Sequence, residues 1–295
     1  MKAFVVKYQI PCFIAIAFAI SLLVGLPLKL FVLDNLFANS ELGLNYFSKT
    51  VVVFGPAMAG LIVISITDGS VGIKAYLAKL TPHIDHIIWW ISLPLAGIIV
   101  TFLAFIVGGF SPGQLIEYVL AVSPMLLLMH IGGACLILGL GEELGWRGWL
   151  LPKLAEGRPL KIAMLMVFAI WALWHLPLFF SGWRIVLPFI VIVFALSVIF
   201  TWLWDRVGGN VFVLVIAHAS VDFPQAFFES RVGTGHEAQI QNAWAVLALV
   251  YFIIAVGVYL LGRQHLDVVL EQPNERLLPG EIKEKETGEG VPELG

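Results

Sequence analysis

The sequence predicts an all-α, polytopic transmembrane helical bundle, and three observations support this fold class. The 295 residues are 60% hydrophobic and only 13% charged, whereas soluble domains carry about a quarter charged residues. The mean hydropathy is +0.95. Apolar runs of about 20 residues, the length that crosses a bilayer, recur along the chain with polar connectors between them. We therefore expect a multi-pass integral membrane protein whose immediate partner is the lipid bilayer.

Eight apolar runs define the predicted spans. The first begins like a signal peptide, but it continues well past the roughly 7–15 apolar residues of a signal-peptide core. We therefore expect it to be retained as the first transmembrane helix. The predicted spans are residues 8–33, 47–67, 86–108, 117–141, 160–180, 185–204, 210–228 and 242–262.

Composition divides the chain into two parts. Residues 1–263 form the predicted bundle, with its chemically active motifs in residues 142–222. Residues 264–295 are rich in Glu, Pro, Gly and Lys, and we predict a disordered cytoplasmic tail because they lack the apolar surface needed for a core.

The net charge of −3 gives no reason to expect a nucleic-acid partner. Cys12 and Cys135 lie far apart in apolar runs and indicate neither a disulfide framework nor a metal site.

Lysine and arginine are unevenly distributed between the two sets of connectors. If the N-terminus is cytoplasmic, all but four of the 17 Lys and Arg residues fall on the cytoplasmic side. The four on the other side are Lys29, Lys49, Arg184 and Arg231. Because cytoplasmic loops carry an excess of positive charge, we expect both termini in the cytoplasm, in a prokaryotic cell membrane. Residues 142–147 are then expected near the cytoplasmic face.

Ionisable residues interrupt three of the apolar runs, and such residues usually face a protein interior or a water-filled cavity. The first group is Glu142, Glu143 and Arg147. Glu143 and Arg147 are four residues apart, so on a helix they share a face and can pair. Glu142 is rotated by about 100° from Glu143, and we expect it to point into a cavity. The simpler interpretation is a charged cluster at a helix end that reaches the membrane interface.

The second and third groups contribute histidines. His175 lies in an apolar run and needs a polar partner, because an unpaired buried polar group costs about 1–3 kcal/mol. A carboxylate on a neighbouring helix is the expected partner, and a backbone carbonyl is the simpler alternative. His218 and Asp222 are four residues apart and share one helical face. This pair could hold a developing oxyanion or bind a metal. Alternatively, the two side chains could only form a hydrogen bond with each other.

At these three segments the sequence resembles the CPBP (Abi) family of intramembrane proteases, whose best-known branch is the type II CAAX prenyl endopeptidases. The family pattern is Glu-Glu-x-x-x-Arg, then Phe-x-x-x-His, then His-x-x-x-Asn or Asp. The matching residues are Glu142, Glu143, Arg147, His175, His218 and Asp222. The motifs occur in the family's order over roughly the second half of the chain. Two positions depart from the usual pattern: Trp171 replaces Phe, and Asp222 replaces the Asn of the CAAX-processing branch.

The resemblance implies an intramembrane endopeptidase that hydrolyses a peptide bond near the cytoplasmic membrane face, through a cytoplasm-facing cavity. It implies that Glu142 and His175 activate the attacking water. It further implies that His218 and Asp222 stabilise the oxyanion. The expected substrate is a membrane-embedded or lipidated peptide or protein, with prenylated CAAX-type C-termini as the family's example.

The resemblance gives Glu143 and Arg147 a supporting role, and it leaves the cofactor open. We expect no metal, because Glu142 and His175 can activate water directly. If the protein is metal-dependent, Glu142, His175 and His218 are the expected ligands, and zinc is the expected ion because two histidines and a carboxylate leave a water position free.

Two other classes of function fit the same buried charges. A transporter or a bacteriocin-immunity type of membrane protein could use them without catalysis. A transporter often shows paired broken helices or a repeat relating its halves, and the sequence has neither. A family member that has lost activity could use the scaffold to bind a partner, but its site residues are intact.

Overall fold

The computed structural model describes residues 2–267 and residue 269, and over these residues the chain is an α-helical bundle without β-strands. The helices are α1 (Lys2–Lys7), α2 (Gln9–Leu36), α3 (Glu41–Thr67), α4 (Gly69–Ala78), α5 (Ile84–Gly108), α6 (Pro112–Leu120), α7 (Pro124–Ala155), α8 (Leu160–Trp174), α9 (Trp183–Arg206), α10 (Val211–Val232) and α11 (Glu237–Leu266). The predicted all-α polytopic bundle is confirmed. Residues 264–266, the start of the predicted tail, extend α11, and from residue 270 onward the tail lies outside the described residues.

Seven of the described helices are long and apolar enough to cross a membrane, and the eighth predicted span is built differently. Its helix, α8, has 15 residues and a length of about 22 Å, shorter than the roughly 30 Å hydrocarbon core. The helix ends because His175 leaves helical geometry (φ −84°, ψ 20°) and Pro177 follows. A 3₁₀ turn, Leu176–Phe180, then continues the path.

The predicted span at 117–141 has the wrong boundaries. The chain instead forms the short helix α6 and then the 32-residue helix α7. The break comes at Ser123, whose hydroxyl accepts a hydrogen bond from the Leu126 amide at 3.2 Å, and Pro124 takes the first helical position. Apolar composition alone hides this start signal. The helix also continues past residue 141 to Ala155, so residues 142–147 lie inside a continuous helix and are not at its end.

Contacts between connectors define one face of the bundle. The Asn210 side chain donates to the Thr81 carbonyl at 2.9 Å, and the Val211 amide donates to the Lys79 carbonyl at 2.9 Å. Lys161 forms an ion pair of 2.6 Å with Asp267 near the end of the described chain. We call this side the terminal face, because both ends of the described chain lie there. It comprises residues 2–9, 68–86, 153–161, 206–211 and 263–267.

The remaining connectors meet on the other side, which we call the opposite face. Glu41 and Arg231 form an ion pair of 2.6 Å there. Gln239 donates to the Gly109 carbonyl at 3.1 Å. This face comprises residues 36–41, 109–123, 180–183 and 232–237. Helix α8 begins at the terminal face and its 3₁₀ turn ends at the opposite face, so together they cross the bundle.

Close backbone approaches fix α7 at the centre of the bundle. A Cβ atom at Gly139 would lie 2.6 Å from the Val215 carbonyl oxygen on α10, so only glycine allows α7 and α10 to meet there. Gly145 similarly admits Pro56 of α3. Two π-helical stretches, Ala134–Gly139 and Trp146–Leu150, flank residues 140–145. Such bulges within α-helices are frequent at functional sites.

Two backbone carbonyls of α7, one just before the second π-helical stretch and one within it, accept hydrogen bonds from α4 and the residue that follows α4. Tyr76 donates to the Leu144 carbonyl at 2.7 Å, and the Lys79 ammonium donates to the Gly148 carbonyl at 2.8 Å. Burial lowers the pKa of Lys79 to about 8. These long-range bonds hold the middle of α7 in position against the terminal-face connector.

Candidate active site

Glu143 and Arg147 form a fully buried ion pair in the middle of the bundle. Arg147 Nη1 donates to Glu143 Oε1 at 2.8 Å, and both side chains have 0% exposure. The guanidinium carbon also lies 4.4 Å from the centroid of the Trp171 ring and 5.1 Å from that of Phe200. Ring faces attract a cation that has lost its water. The pair is therefore packed inside protein and does not reach the membrane interface.

Glu142 points away from that pair, towards two tryptophans. Its Oε2 accepts a hydrogen bond of 2.7 Å from the Trp171 indole nitrogen and one of 3.3 Å from the Trp146 indole nitrogen. Trp146 is four residues along the same helix, and Trp171 comes from α8. The two donors fix one oxygen of the carboxylate and leave the other directed to His218, whose Nε2 is 3.8 Å away.

His218 lies between carboxylates on both sides of its ring. Its Nδ1 is 2.7 Å from Glu143 Oε1, the same oxygen that Arg147 contacts. Its Nε2 is 3.3 Å from Asp222 Oδ2, and the Asp222 side chain is 35% exposed. Carboxylates only accept hydrogen bonds, so a ring with a proton on each nitrogen satisfies both sides. Glu143 thereby links the buried arginine to the histidine.

His175 does not pair with a carboxylate, so the expected partner is wrong. Its Nδ1 lies 2.9 Å from the backbone carbonyl of Trp171, and the ring packs against Trp174 and Phe189. The end of α8 explains the difference, because the His175 amide donates to the Ala172 carbonyl at 3.2 Å, and the Trp171 carbonyl accepts from the His175 side chain instead. A carbonyl can only accept, so Nδ1 donates and a neutral ring keeps Nε2 as a free acceptor.

A cavity of about 280 Å³ joins these groups. It is lined by all four residues predicted to be catalytic, namely Glu142, His175, His218 and Asp222, together with Trp171. Glu143 and Arg147 do not line it and lie behind His218. Its other polar lining residues include Lys49, Gln225 and Glu229, which lie towards the opposite face. Sequence reasoning expected the cavity and the chain ends on one cytoplasmic side, whereas the structure puts them towards different faces.

Sequence reasoning missed the role of two tryptophans. Trp171 replaces the family's phenylalanine, and its indole adds one N–H donor that phenylalanine lacks. That donor makes the shortest hydrogen bond to Glu142, at 2.7 Å, and the Trp171 carbonyl holds His175. Trp146 could have been found by its spacing, because residues i and i+4 share a helical face.

For the peptide cleavage that the motif resemblance implies, replacing Trp171 with phenylalanine should lower kcat/KM by about 10- to 100-fold, because a buried hydrogen bond to a charged group contributes about 1.5–3 kcal/mol. Trp146→Phe is the matched control: its longer contact of 3.3 Å predicts a smaller loss. The measurement is steady-state kinetics of the purified variants. Equal losses in the two variants would show that the 2.7 Å bond has no special role.

The arrangement of these side chains does not favour a bound metal. Over the part of the chain that the structure describes, no group of three or more His, Cys, Asp or Glu side chains is placed to hold a metal ion. The three residues expected as ligands, if there were a metal, have other partners: two indoles for Glu142, a carbonyl for His175 and carboxylates for His218.

Comparison with known families matches the segment that carries the site. Residues 122–224 match the family model described as "Type II CAAX prenyl endopeptidase Rce1-like". The match covers α7 to the middle of α10 and includes the six motif residues. It confirms the resemblance seen in the three motifs. No curated protein matches the sequence.

Proposed function

We propose, because residues 122–224 belong to the Rce1-like type II CAAX prenyl endopeptidase family, that the protein is an intramembrane endopeptidase that uses Glu142 and His175 to activate water. The family implies a hydrolase in a multi-pass membrane protein. The observation that carries the proposal is the cavity that Glu142 and His175 both line, with His218 held between carboxylates beside them. The expected substrate is a membrane-embedded or lipidated peptide.

Glu142 is proposed as the general base. Its carboxylate takes a proton from water, the water oxygen bonds to the carbonyl carbon of the scissile peptide, and the carbonyl electron pair moves onto oxygen. His175 Nε2 is free to hold the same water, since Nδ1 is committed to the Trp171 carbonyl. The protonated Glu142 then gives its proton to the leaving amine as the C–N bond breaks. General acid–base catalysis of this kind typically contributes about 10²–10⁴-fold.

His218 is proposed to stabilise the oxyanion. The Glu143 contact at 2.7 Å holds Nδ1 and directs Nε2 to the cavity side, where Asp222 lies at 3.3 Å. A donor that is already oriented stabilises developing negative charge without reorganisation. Asp222 is proposed to orient this donor, because an ionised carboxylate cannot itself donate to an oxyanion. Arg147 keeps Glu143 in place and so acts only through His218.

Purified protein in detergent should cleave a fluorogenic peptide ending in a farnesylated CAAX sequence, and His175→Ala should remove most of that activity. The fluorescence increase, with product masses by mass spectrometry, measures cleavage. A parallel reaction with a metal chelator tests direct water activation, for which activity should persist. Loss of activity in chelator alone, restored by zinc, would contradict it. A folded wild type that cleaves neither this peptide nor a set of membrane peptides would favour the non-enzymatic alternative.

A further inference from the structure

The lining of the cavity extends along the bundle from the catalytic cluster, and we call this elongated cavity the shaft. Along α10 its lining runs from His218 to Glu229, eleven residues further on. A helix rises about 1.5 Å per residue, so the shaft extends roughly 16 Å along the bundle. Its far end is formed by Lys49 near the start of α3, and Trp244 near the start of α11. Both helices start at the opposite face, so the shaft runs towards that face.

Towards the terminal face the catalytic cluster is sealed by packed side chains. Trp146 and Arg147 of α7 are buried there, as are Phe200, Leu203 and Trp204 on α9. Phe200 and Arg147 are in direct contact. A substrate approaching from the terminal face would have to displace this layer before reaching Glu142 or His218. Entry from that side would therefore break the buried ion pair that holds the site.

The far end of the shaft is polar and partly exposed. Gln225 donates to Glu229 at 3.1 Å, and the Trp244 indole donates to the same oxygen at 2.6 Å. Lys49 lines this end of the cavity, and it and these three residues are all half-buried. Polar side chains that surround an opening fit contact with water and with a peptide backbone, since bare lipid would leave them unsatisfied. We call this polar end the mouth.

The distribution of lysine and arginine assigns the two faces of the bundle to the two sides of the membrane. Nine described lysines and arginines belong to the terminal face: Lys2, Lys7, Lys74, Lys79, Lys153, Arg158, Lys161, Arg206 and Arg263. Four lie towards the opposite face: Lys29, Lys49, Arg184 and Arg231. Arg147 belongs to neither face, because it is buried in the bundle. Positive charge near helix ends favours the cytoplasm, so the terminal face is the cytoplasmic one.

We propose that the mouth opens to the extracytoplasmic side of the membrane, and that the substrates are membrane-proximal segments of exported or membrane-anchored polypeptides that enter from that side. The substrate class rests on the proposed endopeptidase function, whereas the direction of the mouth does not. Cleavage accordingly occurs in the bilayer on chain segments that have already crossed it. This replaces the expectation of a cytoplasm-facing cavity.

The test is cysteine accessibility in intact bacterial cells expressing the full chain. In a background of Cys12→Ala and Cys135→Ala, a single cysteine is placed at the mouth by Ala226→Cys, with Gln225→Cys as a second reporter. Ser181→Cys marks the opposite face and His83→Cys the terminal face, both at exposed positions. A membrane-impermeant maleimide is added before or after permeabilisation, and labelling is measured by a gel shift.

The expected result is labelling of the mouth and Ser181→Cys reporters in intact cells, and of His83→Cys only after permeabilisation. Labelling of the mouth only after permeabilisation, together with His83→Cys, would overturn the proposal. Mouth reporters that stay unlabelled on both sides while both controls react would also overturn it, because the shaft would then be closed to water. Labelling needs no hydrolysis, so this outcome is independent of whether the protein cleaves peptides.

Discussion

Replacing Glu142 with glutamine should lower kcat by about 10²–10⁴-fold, the range contributed by a general base. The amide has nearly the same shape as the carboxylate, and its oxygen can still accept the indole hydrogen bonds of 2.7 and 3.3 Å from Trp171 and Trp146. It cannot take a proton from water. KM should change little, because the substitution leaves the rest of the shaft intact. Steady-state kinetics with the farnesylated peptide measures both constants.

The control for this experiment is the fold of the variant. Glu142→Gln should keep the elution profile of the wild type in detergent and its unfolding midpoint, since it removes a buried charge and adds no volume. A variant that retains more than about a tenth of the wild-type kcat would contradict the role of Glu142 as base. His175 would then be the candidate for that role, through its free Nε2.

Replacing Arg147 with methionine should destabilise the protein by at most about 3–5 kcal/mol, the cost of removing one partner of a buried ion pair, because the Glu143 carboxylate then keeps only His218 as a partner. Both partners have 0% exposure, so water cannot compensate. Methionine retains much of the apolar volume against Trp171 and Phe200, which separates the charge effect from a packing defect. The free energy of unfolding is measured by titration with a denaturing detergent in mixed micelles.

The matched control neutralises the other partner as well. In the double variant Glu143→Gln/Arg147→Met no carboxylate that has lost its arginine remains at residue 143, and His218 keeps Asp222 as a partner at 3.3 Å, so stability should recover by at least half of the loss. Activity should stay low in the double variant, because a neutral amide cannot compensate the charge of His218 as the Glu143 carboxylate does at 2.7 Å. A double variant as unstable as Arg147→Met would mean that the loss comes from packing and not from the unpaired charge.

Apolar length was sufficient to predict the crossings, but not where each helix begins or ends. Because hydropathy is averaged over a window, it does not detect the start of α7, which is set by the Ser123 cap and the ring of Pro124. It also treated residues 160–180 as one helix, although His175 and Pro177 end it. Local backbone chemistry decides these boundaries, and it contributes little to a hydrophobic average.

Within the candidate site, contacts inside one helix were predictable and contacts between helices were not. The Glu143–Arg147 pair follows from a spacing of four residues. The approach of His218 to Glu143 joins residues 75 positions apart and depends on glycine at 139, where α7 and α10 nearly touch. The Trp171 donor belongs to a third helix. No spacing rule within a sequence encodes how these helices are rotated against one another.

The shape of the shaft also limits which chains can be cut. An intact α-helix with its side chains is about 10–12 Å wide, too thick for a cavity of about 280 Å³ that extends deep into the bundle. A segment must therefore unwind into a single extended strand before its peptide bond reaches Glu142. Unwinding costs a stable membrane helix its backbone hydrogen bonds, whereas short, frayed or glycine- and proline-containing ends have fewer of them to lose. If the protein is the proposed endopeptidase, the secondary structure of neighbouring helical proteins would protect them from cleavage, and local unfolding would contribute to its selectivity.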